Sequence, residues 1–539
     1  MKKRNFLLFA MVIAFATIYF LKQGAIEIPH LMLRTFIRML AAYALSLVFS
    51  VSFGLLIAHN KKAYEIFFPV LDVLQSVPIL GFLPFAVLFI IHAIPVLGSE
   101  LATVFLIFTS MTWAIIFNVI QAARSIPPDI KDAARLNGIS GVDYLFHVLL
   151  PGIYSQVISG SITGWGGGWY FLVAGEYIGF GKAPPYVLPG IGSFITQSAY
   201  AGDIIHSLIG MGILAGMVMF MNIFVWSPLF ARSSRFSYAP SEGESQAVQE
   251  NTITRFISSI YARIKRLFTT LLRKQVSKAM SGVQIGPEFS FEESRKLSIY
   301  DFSLMGVVAI VFALIFIFSG KQAAELITMV IFTVKTLARI FIAYIIAVAW
   351  TVAFAIYTRR NKKLLAFFMP IFDVLQSIPA IAVFLVMVVF VIKLLGSGIG
   401  PEIASLLLLL TGMQWYLLFN IINAVQNLPG DINDASDILM LKTPDRVKHI
   451  LLPAIFPALV IGSIQAFGGG WNATIISEYI TYQSQTFHVD GIGYLLDLAA
   501  GNGDIAGILL TSIVIVAAII IINKFFWRKV LKRAELYKF

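Results

Sequence analysis

The chain has 539 residues, 58% hydrophobic and 13% charged, with a mean hydropathy of +0.84. Soluble globular domains carry about 25% charged residues, so this composition excludes a soluble fold and indicates a polytopic membrane protein. The net charge of +12 does not point to nucleic acid, because Lys and Arg gather where apolar runs end, as the positive-inside rule requires. The absence of Cys removes a disulfide framework, a Cys-ligated zinc and a thiol nucleophile.

A bilayer-crossing helix needs about 20 mostly apolar residues. In the first half such runs fall at about 5–21, 35–58, 67–94, 99–123, 152–178 and 204–230. In the second they fall at about 301–319, 336–358, 366–394, 402–424, 454–480 and 505–527. The first run has the basic start of a secretory signal but no small-x-small cleavage site, and reads as a retained span. The expected fold class is all-α: a polytopic membrane protein of about twelve transmembrane helices, six per half. Lys2, Lys3 and Arg4 lie on one side, and Lys61, Lys62, Lys131 and Arg135 return to it. Arg359, Arg360, Lys362 and Lys363 repeat this, and Arg528, Lys529, Lys532 and Arg533 close the chain. The pattern predicts a multi-pass protein of the cell membrane with both termini cytoplasmic.

Residues 1–230 and 301–539 form the two repeats, and 231–300 the basic cytoplasmic linker between them. Within the linker, Phe256, Ile257, Ile260, Ile264, Phe268, Leu271 and Leu272 share one helical face amid Arg and Lys. That suits a helix on an anionic inner leaflet, making membrane lipids a partner; packing on another subunit is the other reading. The repeat is explicit in the letters. FPVLDVLQSVP at 68–78 matches FMPIFDVLQSIP at 368–379, and GGGWYFLVAGEYI at 166–178 matches GGGWNATIISEYI at 468–480. GIGSFITQSAYAGD at 190–203 matches GIGYLLDLAAGNGD at 491–504. Six spans per half give both halves the same orientation, a parallel repeat about an axis along the membrane normal.

Between the fourth and fifth spans, each half carries a water-compatible stretch: DAARLNGISGVDYLFHVLLP from Asp132 to Pro151, and DASDILMLKTPDRVKHILLP from Asp434 to Pro453. The first predicts a short helix, a turn at Gly138, and a second helix that Ser140 and Asp143 start as a capping box. Pro151 is expected to open the next span. In the second copy, Thr443-Pro444 supplies an N-cap and first-turn proline. The product is a helical elbow facing the cytosol.

These residues resemble the coupling loop of permease subunits in binding-protein-dependent ABC importers. That loop reads Glu-Ala-Ala, three residues, Gly, nine residues, then Ile-x-Leu-Pro. Asp132-Ala133-Ala134, Gly138, Val148, Leu150 and Pro151 keep the spacing, as do Asp434-Ala435-Ser436, Ile450, Leu452 and Pro453. Asp replaces Glu in both copies, and Met440 stands where Gly is expected. The finer resemblance is to the nitrate, sulfonate, taurine and bicarbonate branch, through Gly175-Glu176 with Gly190-Ile191-Gly192 and Ser477-Glu478 with Gly491-Ile492-Gly493. It implies a fused permease forming the solute pathway and coupling through both elbows to two ATP-binding cassette ATPase subunits. It also implies an extracytoplasmic solute-binding protein, a small anion as solute, and ATP with Mg on the partner subunits only. This chain carries no phosphate loop and no resident cofactor, metal cluster or catalytic constellation is expected. An importer of an uncharged or cationic nutrient, or an ion-coupled secondary transporter, also fits the six-plus-six pattern.

Pathway or gate candidates are the polar and aromatic residues at membrane depth. Glu176 and Glu478, with Trp169 and Trp471, fit either a gate or a contact between packed helices. The triple glycines before them fit close backbone approach or solute contact. Asp72 with Gln75, and Asp373 with Gln376, share a helix face near the cytoplasmic start of the third spans.

Overall fold

The computed structural model describes residues 27–76, 87–91, 93–94, 96–178, 186–233, 312–313, 316–317, 320, 323–377, 380–426, 443–482 and 485–534. The expected span at 5–21, most of that at 301–319, linker residues 234–300 and the second-elbow residues Asp434, Ala435 and Ser436 lie outside them. Among the described residues, eight helices are long and apolar enough to cross a membrane.

In the first half, α1 (Glu27–His59), α2 (Lys61–Ser76) and α3 (Gly98–Arg124) precede the short elbow helix α4 (Pro128–Leu136). Helix α5 (Leu150–Glu176) ends in a small antiparallel ladder of β1 (Tyr177–Ile178) and β2 (Tyr186–Val187). Then come α6 (Ile191–Tyr200) and α7 (Ile204–Met221). The second half repeats the order with α8 (Ala323–Arg360), α9 (Lys362–Ser377), α10 (Ala380–Gln426) and α11 (Leu452–Glu478). It closes with β3 (Tyr479–Tyr482), β4 (Gln485–His488), α12 (Ile492–Gly501) and α13 (Ile505–Ile522). The fold is all-α and polytopic as expected, with two small hairpins at matching places; at two and four residues per strand they leave no usable alternation in the sequence.

Helix α10 merges parts of two expected spans across Gly396, whose φ of 78° is open to glycine and breaks the helical path. Asp203 and Asp504 cap α7 and α13 with their side chains, accepting from the N–H groups of His206 (3.1 Å) and Gly507 (2.8 Å).

Helices cannot associate in lipid by hiding apolar surface from water, so close packing and polar contacts must do it. The α3–α5 seam shows how. A Cβ on Gly160 or Gly164 would press into the α3 backbone at Ala114–Ile115 and Met111, and one on Gly462 would meet the Tyr416 carbonyl of α10. Trp165 and Trp169 fill the space above the first seam, and Tyr43 and Trp226 meet Trp165 edge-on with centroids 5.6 and 5.7 Å apart. The halves interlock reciprocally: α7 packs on α9, and α13 on α2.

Pro151 stands in the first turn of α5, as expected of a proline that opens the span, and the elbow's second helix leads into that turn without a break. The helix runs unbroken from Gly141 to Glu176. A proline inside a helix lacks an N–H and crowds the carbonyl four residues back. A wider π turn at Leu145–Leu149 precedes Pro151, with the Leu150 N–H bonded to the Leu145 carbonyl. The turn Val447–Leu451 does the same before Pro453. The elbow's second helix and the fifth span are therefore one rod.

Candidate functional site

Two regions of each half concentrate polar chemistry, one at each end of that rod. At the elbow end of the first half, α4 runs from Pro128 to Leu136, and Gly138 (φ 64°) takes the left-handed turn. Ser140 occupies the N-cap with extended backbone but makes no side-chain cap bond, which corrects the expected capping box with Asp143. The elbow has its own small core: Ile126, Ala134, Tyr144, Val148 and Leu149 are buried together. Ala134 thus packs inward, while Asp132, Ala133 and Gly138 are exposed. Leu150 and Pro151 are half-buried on the rod. In the second half, Leu452 is exposed and Pro453 half-buried at the corresponding place.

At the far end, Glu176 closes α5 with no exposed surface. Its carboxylate accepts from Thr35 Oγ1 (2.8 Å), Arg38 Nη1 (2.7 Å) and the Gly192 N–H (2.7 Å). Arg38 also forms a two-pronged pair with Glu100, at 2.6 and 2.7 Å, and donates to the Pro189 carbonyl at 2.9 Å. The Ile191 N–H donates to Thr35 Oγ1. One cluster thus ties α1, α3 and α5 to the first turn of α6, whose unsatisfied N–H groups favour a carboxylate. This geometry explains the Gly-Ile-Gly signature: a Cβ on Gly190 would run into the Glu176 carboxyl, and one on Gly192 would stand 2.9 Å from its Oε2.

The second half rebuilds the cluster. Glu478 accepts from Thr336 (2.6 Å), Arg339 (2.9 Å) and the Gly493 N–H (2.8 Å), and Arg339 pairs with Glu402 at 2.7 and 2.9 Å. Glu176 and Glu478 are thus ion-paired and buried inside helix packing. Trp169 and Trp471 are buried as well. Gln75 and Gln376 are exposed, on α2 and α9, and Asp72 and Asp373 lie one turn earlier on the same helices. The candidates therefore do not converge on one site.

The sequence reading missed Thr35, Arg38 and Glu100 with their twins. The signal was present: Thr-x-x-Arg opens an apolar run in both halves, at 35–38 and 336–339. A charged residue inside an apolar run implies a buried partner. The triple glycines split. Gly168, Gly469 and Gly470 are closely packed, whereas Gly166, Gly167 and Gly468 face open space. Among the described residues no group of His and carboxylate could hold a metal ion.

The sequence matches the family described as binding-protein-dependent transport system inner membrane component, over residues 50–231 and again over 340–530. The chain belongs to that family and carries its module twice, which places it among ABC transport permeases rather than enzymes. Over 180 residues it is 29% identical to the nitrate import permease protein NrtB of Synechocystis, covering 33% of this chain and 61% of that protein. It is 26% identical over 178 residues to the bicarbonate transport system permease protein CmpB of Synechococcus elongatus, covering 32% and 60%. It is 25% identical over 181 residues to the taurine transport system permease protein TauC of Escherichia coli, covering 33% and 63%. The chain thus spans less than two thirds of the length of these relatives.

Proposed function

We propose that this chain is the membrane-spanning permease of an ABC importer for a small anion of the nitrate, bicarbonate or sulfonate type. Each elbow docks on one of two ATPase subunits, which hold ATP and Mg, and an extracytoplasmic binding protein delivers the solute. Both termini face the cytoplasm of the cell membrane, as the Lys and Arg pattern suggests. The observation that carries the reading is the elbow's second helix fused to its span as one rod, with Ala133 exposed on the short helix α4 packed at its root. A partner gripping α4 moves the whole fifth span, and closure of two ATPases rocks the two halves against each other, a two-state change of access. The solute passes between the halves, along the open faces at Gly166, Gly167 and Gly468. The anion class rests on the named substrates of the relatives. Binding energy for it resides mainly in the delivering receptor, since Arg38 and Arg339, the buried arginines among the described residues, are already committed to carboxylates.

The test is co-purification from nanodiscs of the ATPase with the intact chain and with Ala133→Glu/Ala435→Glu. Two ATPase copies per chain, lost at least about tenfold in the variant, are expected, a change of 1.4 kcal/mol or more. Unchanged stoichiometry would overturn the elbow assignment. Uptake into proteoliposomes competed by nitrate, bicarbonate and taurine in turn then identifies the solute.

A further inference from the structure

Helix α5 carries Gly166, Gly167 and Tyr170 at the spacing that puts residues of successive turns on one face. The face is open at both glycines, where an added Cβ would meet nothing. The Tyr170 hydroxyl beside them is buried and, among the described residues, has no hydrogen-bond partner. A buried tyrosine hydroxyl ordinarily finds one, because an unmade hydrogen bond is costly. Helix α5 packs on α10 of the second half, and α10 brings Tyr416 to this seam. The Tyr416 ring lies along the glycines of α11, since a Cβ on Gly469 would stand 2.9 Å from its Cε2. Tyr416 is nonetheless 40% exposed, and it lies within electrostatic reach of the Tyr170 hydroxyl. The equivalent positions hold other residues. Asn472 takes the place of Tyr170 and donates its amide to the Gly468 carbonyl at 3.1 Å, and Ala114 takes the place of Tyr416. The two phenols therefore approach one seam from positions that the repeat does not relate.

We propose that the Tyr170 and Tyr416 hydroxyls are the solute contact in the route between the halves, donating hydrogen bonds to a small oxyanion as it passes. The proposal rests on the anion-importer reading above and names the groups that recognise the anion. A phenol O–H is a neutral donor, and its hydrogen bond to an anionic oxygen is stronger than one between neutral groups. Neutral donors suit transport, because a site on the route must be favourable enough to enter and weak enough to leave. A free buried cation would hold the anion more tightly, and Arg38 and Arg339 are paired with Glu176 and Glu478 instead. The glycine face gives the anion room beside α5, and the Tyr170 hydroxyl gives it a direction. Each half contributes one hydroxyl, so rocking the halves changes the distance between them. The pair grips the anion together in one state and lets it go in the other. Because Asn472 and Ala114 stand at the equivalent positions, the chain has one such contact rather than two.

The experiment uses the full chain with its ATPase and receptor in proteoliposomes, and reads uptake of nitrate, bicarbonate and taurine against ATP hydrolysis. Tyr170→Phe and Tyr416→Phe each remove one oxygen and keep the ring. Each is expected to lower uptake of the carried anion by about tenfold, with melting temperature and ATPase co-purification unchanged. Tyr170→Asn restores a neutral donor and is expected to transport better than Tyr170→Phe, whereas a packing role gives the reverse order. Tyr357→Phe, at an exposed position on α8, is expected to leave uptake intact. Unchanged uptake in either Tyr170→Phe or Tyr416→Phe, or the reverse order at position 170, overturns the tyrosine contact and leaves the importer reading standing. Uptake of none of the three anions by the unaltered chain overturns that reading and this proposal with it.

Discussion

The far ends of the two halves are near copies, and the elbow ends are not. Around Glu176 and Glu478 the same four residue types meet, with donor–acceptor distances between 2.6 and 2.9 Å in each half. At the elbows, Gly138 aligns in sequence with Met440, and Arg124, Lys131 and Arg135 align with Gln426, Asn433 and Asp437. The difference follows from burial. Removing one member of a buried ion cluster strands the others in low dielectric, whereas an exposed surface next to water tolerates exchange.

The sharpest way to break this comparison is Arg38→Ala, which leaves Glu176 buried with its cation gone. A loss of about 3–5 kcal/mol is expected, read as a fall in the thermal midpoint in detergent, with Arg339→Ala matching it. The double replacement Arg38→Met/Glu176→Met is expected to recover part of the loss, because uncharged side chains of similar volume carry no desolvation cost. Equal damage from the single and double variants would show that the cluster works through shape rather than charge.

A smaller effect separates the glycines. Gly469→Ala places a methyl against the Gly412 carbonyl, and about 1–3 kcal/mol of destabilisation is expected. Gly166→Ala meets nothing within contact distance and is expected to change stability by less than about 0.5 kcal/mol. If Gly166→Ala leaves stability intact and slows uptake, the open face is part of the solute route.

The ion pair expected to matter least is that of Lys335 and Asp490, 2.6 Å apart and both exposed. Lys335→Ala is expected to cost at most about 1 kcal/mol. The hydrogen bond from Lys335 holds the Asp490 carboxyl below its ordinary range. A depressed carboxyl contributes stability above its unfolded pKa and loses it as pH falls through the folded value. The Lys335→Ala difference is therefore expected at pH 7 and absent at pH 2–3, within screening by salt. A difference that persists in acid would mean that Lys335 acts through its aliphatic stem.

Much of this architecture was legible in the letters. Apolar length marked α3, α5, α7, α11 and α13 closely, because lipid permits few spanning solutions. The elbow at Asp132–Pro151 was legible as a water-compatible insert between apolar runs. What escaped was long-range. The link from Arg38 to Glu176 joins residues 138 apart, and no local period records such a pairing. Pro151 was read correctly as the start of the span, but the π turn at Leu145–Leu149 that joins the elbow's second helix to it leaves no local signal. The split among the glycines depends on which faces meet a neighbour, a property of the fold rather than of the triplet.

The rod from Gly141 to Glu176 contains 36 residues, which at about 1.5 Å each makes it roughly 54 Å long. A swing of about 5° pivoting at the elbow would carry the opposite tip by about 5 Å, close to one helical pitch. Such a lever works in both directions. A push where α6 and Thr35 grip the tip arrives at the elbow as torque, so a receptor seating on that side could signal its arrival with no moving part between the two surfaces.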